Sequence, residues 1–189
     1  MRQTDKLTKM VICGLMAALV FLGSMIRITL PVNVGTTSFH LGNIMCALSG
    51  MVLGPVGGGL ASGIGSLLYD FTNPLYIAES WITLLTKGAY GLTVGLVAWS
   101  GKKDSPLTYR RNIAATLAGA LTYAALYLFK GFAWDGLLLG GLQAGPAAAA
   151  LTAKLPATIF NAVIAVVLAP TLFTAIQKAL KGAFRQARA

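Results

Sequence analysis

Charge is what this chain has least of. Of 189 residues five are Asp or Glu and one is His, and charged residues make up 11% of the total, where a soluble domain carries about a quarter. Hydrophobic residues reach 56% and the mean hydropathy is +0.73. That balance excludes an ordinary soluble domain and points to an integral membrane protein of a length that suits one domain. The two cysteines, Cys13 and Cys46, lie far apart in separate apolar runs and read as unpaired packing residues. With one His and no Cys pair, no metal site is expected. Also missing are a Gly-x-x-x-x-Gly-Lys-Ser/Thr phosphate loop, a His-Glu-x-x-His pair, a Gly-x-Ser-x-Gly elbow and paired intramembrane aspartates. The chain therefore carries no ATP motor, offers no home for catalysis, and gives no reason to expect a cofactor.

What charge there is sits in blocks. Arg2, Lys6 and Lys9 precede the first apolar run; Lys102, Lys103, Arg110 and Arg111 fill one hydrophilic loop; Lys178, Lys181, Arg185 and Arg188 close the chain. Those eleven of fifteen basic residues follow the positive-inside pattern, so the net charge of +10 is explained by membrane topology, without nucleic acid.

Residues 10–26 form an uncharged run between Lys9 and Arg27. It looks like a signal peptide in outline, lacks a small-x-small cleavage site before Arg27, and reads as a retained first span. Residues 29–38, rich in Thr, Pro, Asn and Gly, read as an outer loop or short extended cap. Residues 41–69 are harder to place: as one straight helix they would reach about 44 Å at 1.5 Å per residue, too long for one upright crossing of a ~30 Å core and short for two. Parity decides the matter. Two spans turning at Gly54-Pro55 put the basic loop 102–111 in the cytoplasm, whereas one span puts it outside. The expected fold is all-α and integral to the plasma membrane of a prokaryote, a single domain of six transmembrane helices in one compact bundle. Its spans lie at about 8–27, 40–54, 56–71, 79–99, 112–130 and 153–178, with both termini cytoplasmic and outer loops capping a binding pocket. The second outer loop, 131–154, has room for a short helix. Asp5 and Asp104 fall inside, and Asp70, Glu79 and Asp135 at outer ends.

The candidate ligand contacts collect at that outer end: His40, Asn43, Tyr69, Asp70, Glu79, Trp81, Lys87, Tyr123, Tyr127, Trp134, Lys154, Thr158 and Asn161, with Asn73, Tyr76 and Asp135 nearby. Lys87 lies about 12 Å along the helix from Glu79, well inside the fourth span, where an ionisable group needs a partner or a cavity. Its competing reading is a structural ion pair with Asp70 or Glu79. Lys154, Thr158 and Asn161 share one helix face, as do Tyr123, Tyr127 and Lys130. Either stripe lines a pocket or serves as interhelical glue and interfacial aromatic belt. His40 is either a ligand or a helix-end residue. Gly14-Leu-Met-Ala-Ala18 is a small-xxx-small patch on the first span, a spacing that mostly serves internal packing.

His40-Leu-Gly-Asn43, Gly50-x-x-Leu53-Gly-Pro55, Gly63-Ile-Gly-Ser66, Asp70 and Lys87-Gly88 together resemble the substrate-binding S-components of energy-coupling factor (ECF) transporters for vitamins and related micronutrients. The resemblance covers most of the chain. It implies a small bundle that holds substrate near the outer face, tips in the membrane, and releases it inward when docked on a transmembrane coupling subunit driven by two ATPases. In that family docking uses small residues of the first helix, here Gly14 and Ala18 with Ala17 beside them. The HLG pattern with its late Asp and Lys-Gly looks most like the branch for pyridoxine-like and hydroxymethylpyrimidine-like precursors, although those relatives often carry an acid where Asn43 stands. Pantothenate or another vitamin would suit Lys87 and Lys154 equally. The alternatives are a non-transporting membrane assembly protein, which needs no pocket, and a self-sufficient secondary carrier, which needs no ATPase.

Overall fold

The computed structural model describes residues 3–31, 36–100 and 108–186, with the side chains of 6–31, 37–100 and 108–179. Arg2, Lys102, Lys103, Asp104 and Arg188 lie outside the described residues, as do the side chains of Asp5, Lys181 and Arg185. Helix α1 (Gln3–Met25) leads into an antiparallel hairpin of β1 (Arg27–Pro31) and β2 (Thr36–His40), in which Arg27 faces His40 across the ladder. The segment read as a loop or cap is thus a two-stranded ribbon. Then come α2 (Gly42–Phe71), α3 (Ser80–Ala98) and α4 (Tyr109–Lys130), which runs on as a nine-residue π-helical extension (Gly131–Leu139). A short α5 (Ala144–Ala150) precedes α6 (Leu155–Gln186).

Among the described residues five helical segments are long and apolar enough to cross a membrane: Lys6–Met25, Gly42–Phe71, Ile77–Ala98, Tyr109–Leu139 and Ala144–Ala179. The second of these does not run straight. Gly54 adopts φ 74°, a left-handed conformation that glycine reaches without a Cβ penalty, and Pro55 follows it. Beyond the turn the chain doubles back. Ser62 donates to the Cys46 carbonyl at 3.2 Å, whereas sixteen residues of straight helix would separate the two by about 24 Å. Gly58 lies against the backbone of Gly50. α2 is therefore two antiparallel arms joined at Gly54.

Small residues let those arms pack against α3 almost backbone to backbone. A Cβ on Gly50 would stand 2.6 Å from the Gly91 carbonyl oxygen and 2.9 Å from the Gly95 nitrogen, and Gly91 and Gly95 press in turn on Gly58 and Pro55. Tyr90, Val94, Met51 and Cys46 fill the interior, while Leu85, Phe129 and Val163 face outward, more than half exposed. An apolar exterior around a partly polar interior suits a chain solvated by lipid.

The contacts sort the elements into two ends. Arg27 meets Tyr69 and Tyr76, His40 meets Asn161, and Glu79 meets Lys130 at one end. Trp99 lies against Gly54, and Tyr109 approaches Thr171 at 3.3 Å, at the other.

Replacing Gly50 with Ala tests the seam. Helix propensity favours Ala by about 1 kcal/mol, but overpacking a closed contact costs about 1–3 kcal/mol, so Gly50→Ala should lower the melting temperature in detergent. Gly14→Ala, with nothing within 4 Å of its Cβ, should leave it unchanged or raise it. Equal behaviour of the two would remove the seam from the account.

Candidate functional site

A cavity of about 80 Å³ opens at the hairpin end. Its walls come from the ribbon and four of the helices: Arg27 of β1; Thr37, Ser38 and His40 of β2; Asp70 of α2; Tyr76 from the turn that follows; Glu79, Ile82, Thr83, Thr86 and Lys87 from the start and body of α3; Tyr123, Tyr127 and Lys130 of α4; Thr158 and Asn161 of α6. So many elements meet here because α2 returns to this end after its turn and α3 departs from it.

Lys87 is 4% exposed. Among the described residues it has no carboxylate partner; its ammonium donates to the Asn43 side-chain oxygen and sits 3.9 Å over the Tyr123 ring. The ion pair with Asp70 or Glu79 that the sequence allowed is not formed. Tyr123 stacks on Tyr127 at 5.8 Å and tilts against Tyr90 at 6.0 Å. Arg27 lies over Tyr69 at 4.3 Å and Tyr76 at 4.7 Å, two rings whose centroids are 6.4 Å apart, so that both meet its guanidinium from adjacent sides by cation–π contact.

Four other charges neutralise each other along the rim. Lys130 bridges Glu79 at 2.6 Å and Asp135 at 2.7 Å, and Asp135 also holds Lys154 at 2.5 Å. Lys154 and Asp135 are almost wholly buried, and the network ties α3, α4, the π-helical extension and the turn into α6. Asn161 accepts from the His40 backbone N–H at 3.0 Å and donates to the Ser38 carbonyl at 2.7 Å, pinning the ribbon to α6. Three polar atoms of cavity-lining residues have no partner: Arg27 Nε, His40 Nδ1 and Asp70 Oδ2. Buried polar atoms left so are uncommon, and each calls for a ligand or a water.

Eight of the thirteen residues singled out in the sequence line this cavity: His40, Asp70, Glu79, Lys87, Tyr123, Tyr127, Thr158 and Asn161. Asn43 and Tyr69 stand behind it, holding Lys87 and Arg27. Lys154 pairs with Asp135 and lies 5.6 Å over the ring of Tyr127, behind the wall rather than in it. Trp81 is half exposed and packs edge to face on Trp134 at 5.6 Å, neither one in the wall. The sequence reading missed Arg27, Thr37, Ser38, Ile82, Thr83 and Thr86. Thr83, Thr86 and Lys87 follow Glu79 at helical spacing, a legible stripe; Arg27 carried no local signal, since it read as the basic flank of a span. On α1, Gly14 and Ala18 are exposed, whereas Ala17 is buried, its carbonyl lying against Gly65 of α2.

The described residues thus form a multi-pass helical bundle with a polar cavity at one end. It matches the solved S component of a bacterial ECF transporter with a TM-score of 0.65 over 95% of this chain and 99% of that one, at 17% identity. Residues 4–178 match the family model of the ECF-type riboflavin transporter S component, and the chain belongs to that family. An uncharacterized protein of Pyrococcus woesei is 33% identical over 104 residues, 55% of this chain and 64% of its own length. A UPF0397 protein of Streptococcus gordonii is 32% identical over 131 residues, 65% of this chain and 67% of its own. A UPF0397 protein of Lactiplantibacillus plantarum is 32% identical over half of each chain. The matched stretches thus span about half to two thirds of these relatives.

His40 supplies a pH test. Burial, and then the positive charges of Lys87 and Arg27, push its imidazole well below the usual histidine range. The folded chain therefore binds fewer protons than the unfolded one once the pH drops below about 6.5. Stability should be fully present above that value and fall below it, by up to about 1.4 kcal/mol per pH unit. His40→Gln should flatten that slope in detergent melts; an unchanged slope would mean that His40 titrates freely.

Proposed function

We propose that this chain is the substrate-binding subunit of an ECF-type importer, that it captures a vitamin or vitamin precursor with a flat ring at the outer face, and that it releases it inward on a coupling subunit powered by two ATPases. The observation that carries this reading is the cavity, walled by buried charges and stacked tyrosines, in a chain whose family is a transporter's S component. An assembly protein has no use for such a cavity. The pyridoxine-like or hydroxymethylpyrimidine-like precursors favoured by the sequence suit the tyrosine pair, and riboflavin enters as a candidate through the family's description.

Six crossings with both termini cytoplasmic fit the charges. Lys6, Lys9, Arg110 and Lys178 lie exposed at the end remote from the cavity, where the positive-inside rule places the cytoplasm. The two arms of α2 then count as separate short spans, their mismatch absorbed by tilt and local thinning. On this topology the whole of 1–189 is one six-helix domain. Gly14 and Ala18 offer α1's smooth face to the coupling subunit.

Mass spectrometry of small molecules extracted from the purified protein should find a ring-bearing vitamin or precursor, and adding that compound should raise the melting temperature. Asp70→Ala and Lys87→Ala should weaken its binding about tenfold or more while insertion is kept, since each removes a charged contact worth about 1.5–3 kcal/mol. Ala18→Leu should spare binding and block ATP-coupled uptake. Uptake by the purified chain alone in liposomes would point to a self-sufficient carrier instead.

A further inference from the structure

We propose that the cavity recognises one edge of a flat, non-cationic heterocycle, an edge on which an N–H or O–H donor stands beside acceptor atoms, with the donor given to Asp70 and the acceptors to Arg27 and Lys87. This deepens the binding-subunit reading and rests on it. Glu79, Lys130, Asp135 and Lys154 satisfy one another, Asn161 is spent on the ribbon backbone, and Asn43 on Lys87. Of the buried polar atoms without a partner, three belong to cavity-lining residues: an acceptor, Asp70 Oδ2, a donor, Arg27 Nε, and the imidazole Nδ1 of His40. Lys87 has further N–H groups beyond the one given to Asn43.

Asp70 and His40 are only 3% and 8% exposed, so a bound molecule is what can meet their free atoms without loosening the fold. The geometry is set beforehand: Arg27 rests against two neighbouring rings, and one of them, Tyr69, immediately precedes Asp70 on α2. Charge narrows the class further. Setting the balanced rim aside, Arg27 and Lys87 face one carboxylate, which leaves an excess positive charge in a low-dielectric site. A permanently cationic ring would add to that excess. A carboxylate without a donor beside it would leave Asp70 unpaired and repelled. A neutral ring bearing both donor and acceptors answers Asp70, Arg27 and Lys87 together.

The test titrates the purified full chain in detergent with pyridoxine, 4-amino-5-hydroxymethyl-2-methylpyrimidine, riboflavin, thiamine and pantothenate, read by calorimetry. The tightest binder should be one of the first three. Fully methylating its edge donor should cost about ten- to a hundredfold in affinity, and Asp70→Asn should cost a similar factor. Should Asp70→Asn fail to fold, the methylated ligand on the native chain decides. Tightest binding of thiamine or pantothenate, or an unaffected methylated ligand, would overturn the edge assignment and leave the binding-subunit reading standing. If none of the five binds and nothing co-purifies, that reading fails as well and takes the assignment with it.

Discussion

A polar group taken out of water has to be answered by another polar group, and in a bundle bathed in hydrocarbon few are available to do so. Nearly every long-range polar contact at the hairpin end follows from that scarcity. Glu79, Lys130, Asp135 and Lys154 form one continuous chain of opposite charges, so that the hairpin-side ends of four elements are fixed by three ion pairs. Lys87 is answered by an amide and a ring where no carboxylate is in reach. Around the cavity three such groups stay unanswered, on Arg27, Asp70 and His40, and a few more, among them Tyr90 and Asn112, lie deeper in the bundle.

The scaffold that makes this possible is nearly featureless chemically. Glycine against glycine along α2 and α3 replaces the hydrophobic driving force that lipid does not supply between helices. Close backbones leave no slack, so the polar side chains at one end are held by a rigid frame. The π-helical stretch after α4 adds to this by carrying Asp135 between two lysines that stand on different elements. An irregular turn of that kind is commonly found beside functional sites.

Much of the site was legible before any fold was known, because scarcity itself is a signal. In a chain with so few ionisable residues, Asp70, Glu79 and Lys87 stand out, and helical spacing groups Tyr123 with Tyr127 and Thr158 with Asn161. The same spacing ran too far at Lys154, whose place on the stripe said nothing of the carboxylate, Asp135, that draws it aside. Trp81 and Trp134 were singled out as aromatic and near the right end, yet they pair with each other outside the cavity wall. Arg27 was overlooked because its partners, Tyr69 and Tyr76, lie more than forty residues away.

The sequence alone determined that the chain belongs in a membrane and where its apolar runs begin and end, since these depend on local composition, and it placed a turn at Gly54-Pro55 from the charge of the distant loop 102–111 and the backbone chemistry of glycine and proline. Only the tertiary structure decided that the ribbon exists as paired strands, that the two arms of α2 lie against each other and α3 at glycine contact, and which scarce polar groups cancel and which stay open. Pairing between charges is a property of distance in space, and a bundle brings together residues whose separation along the chain carries no trace of it.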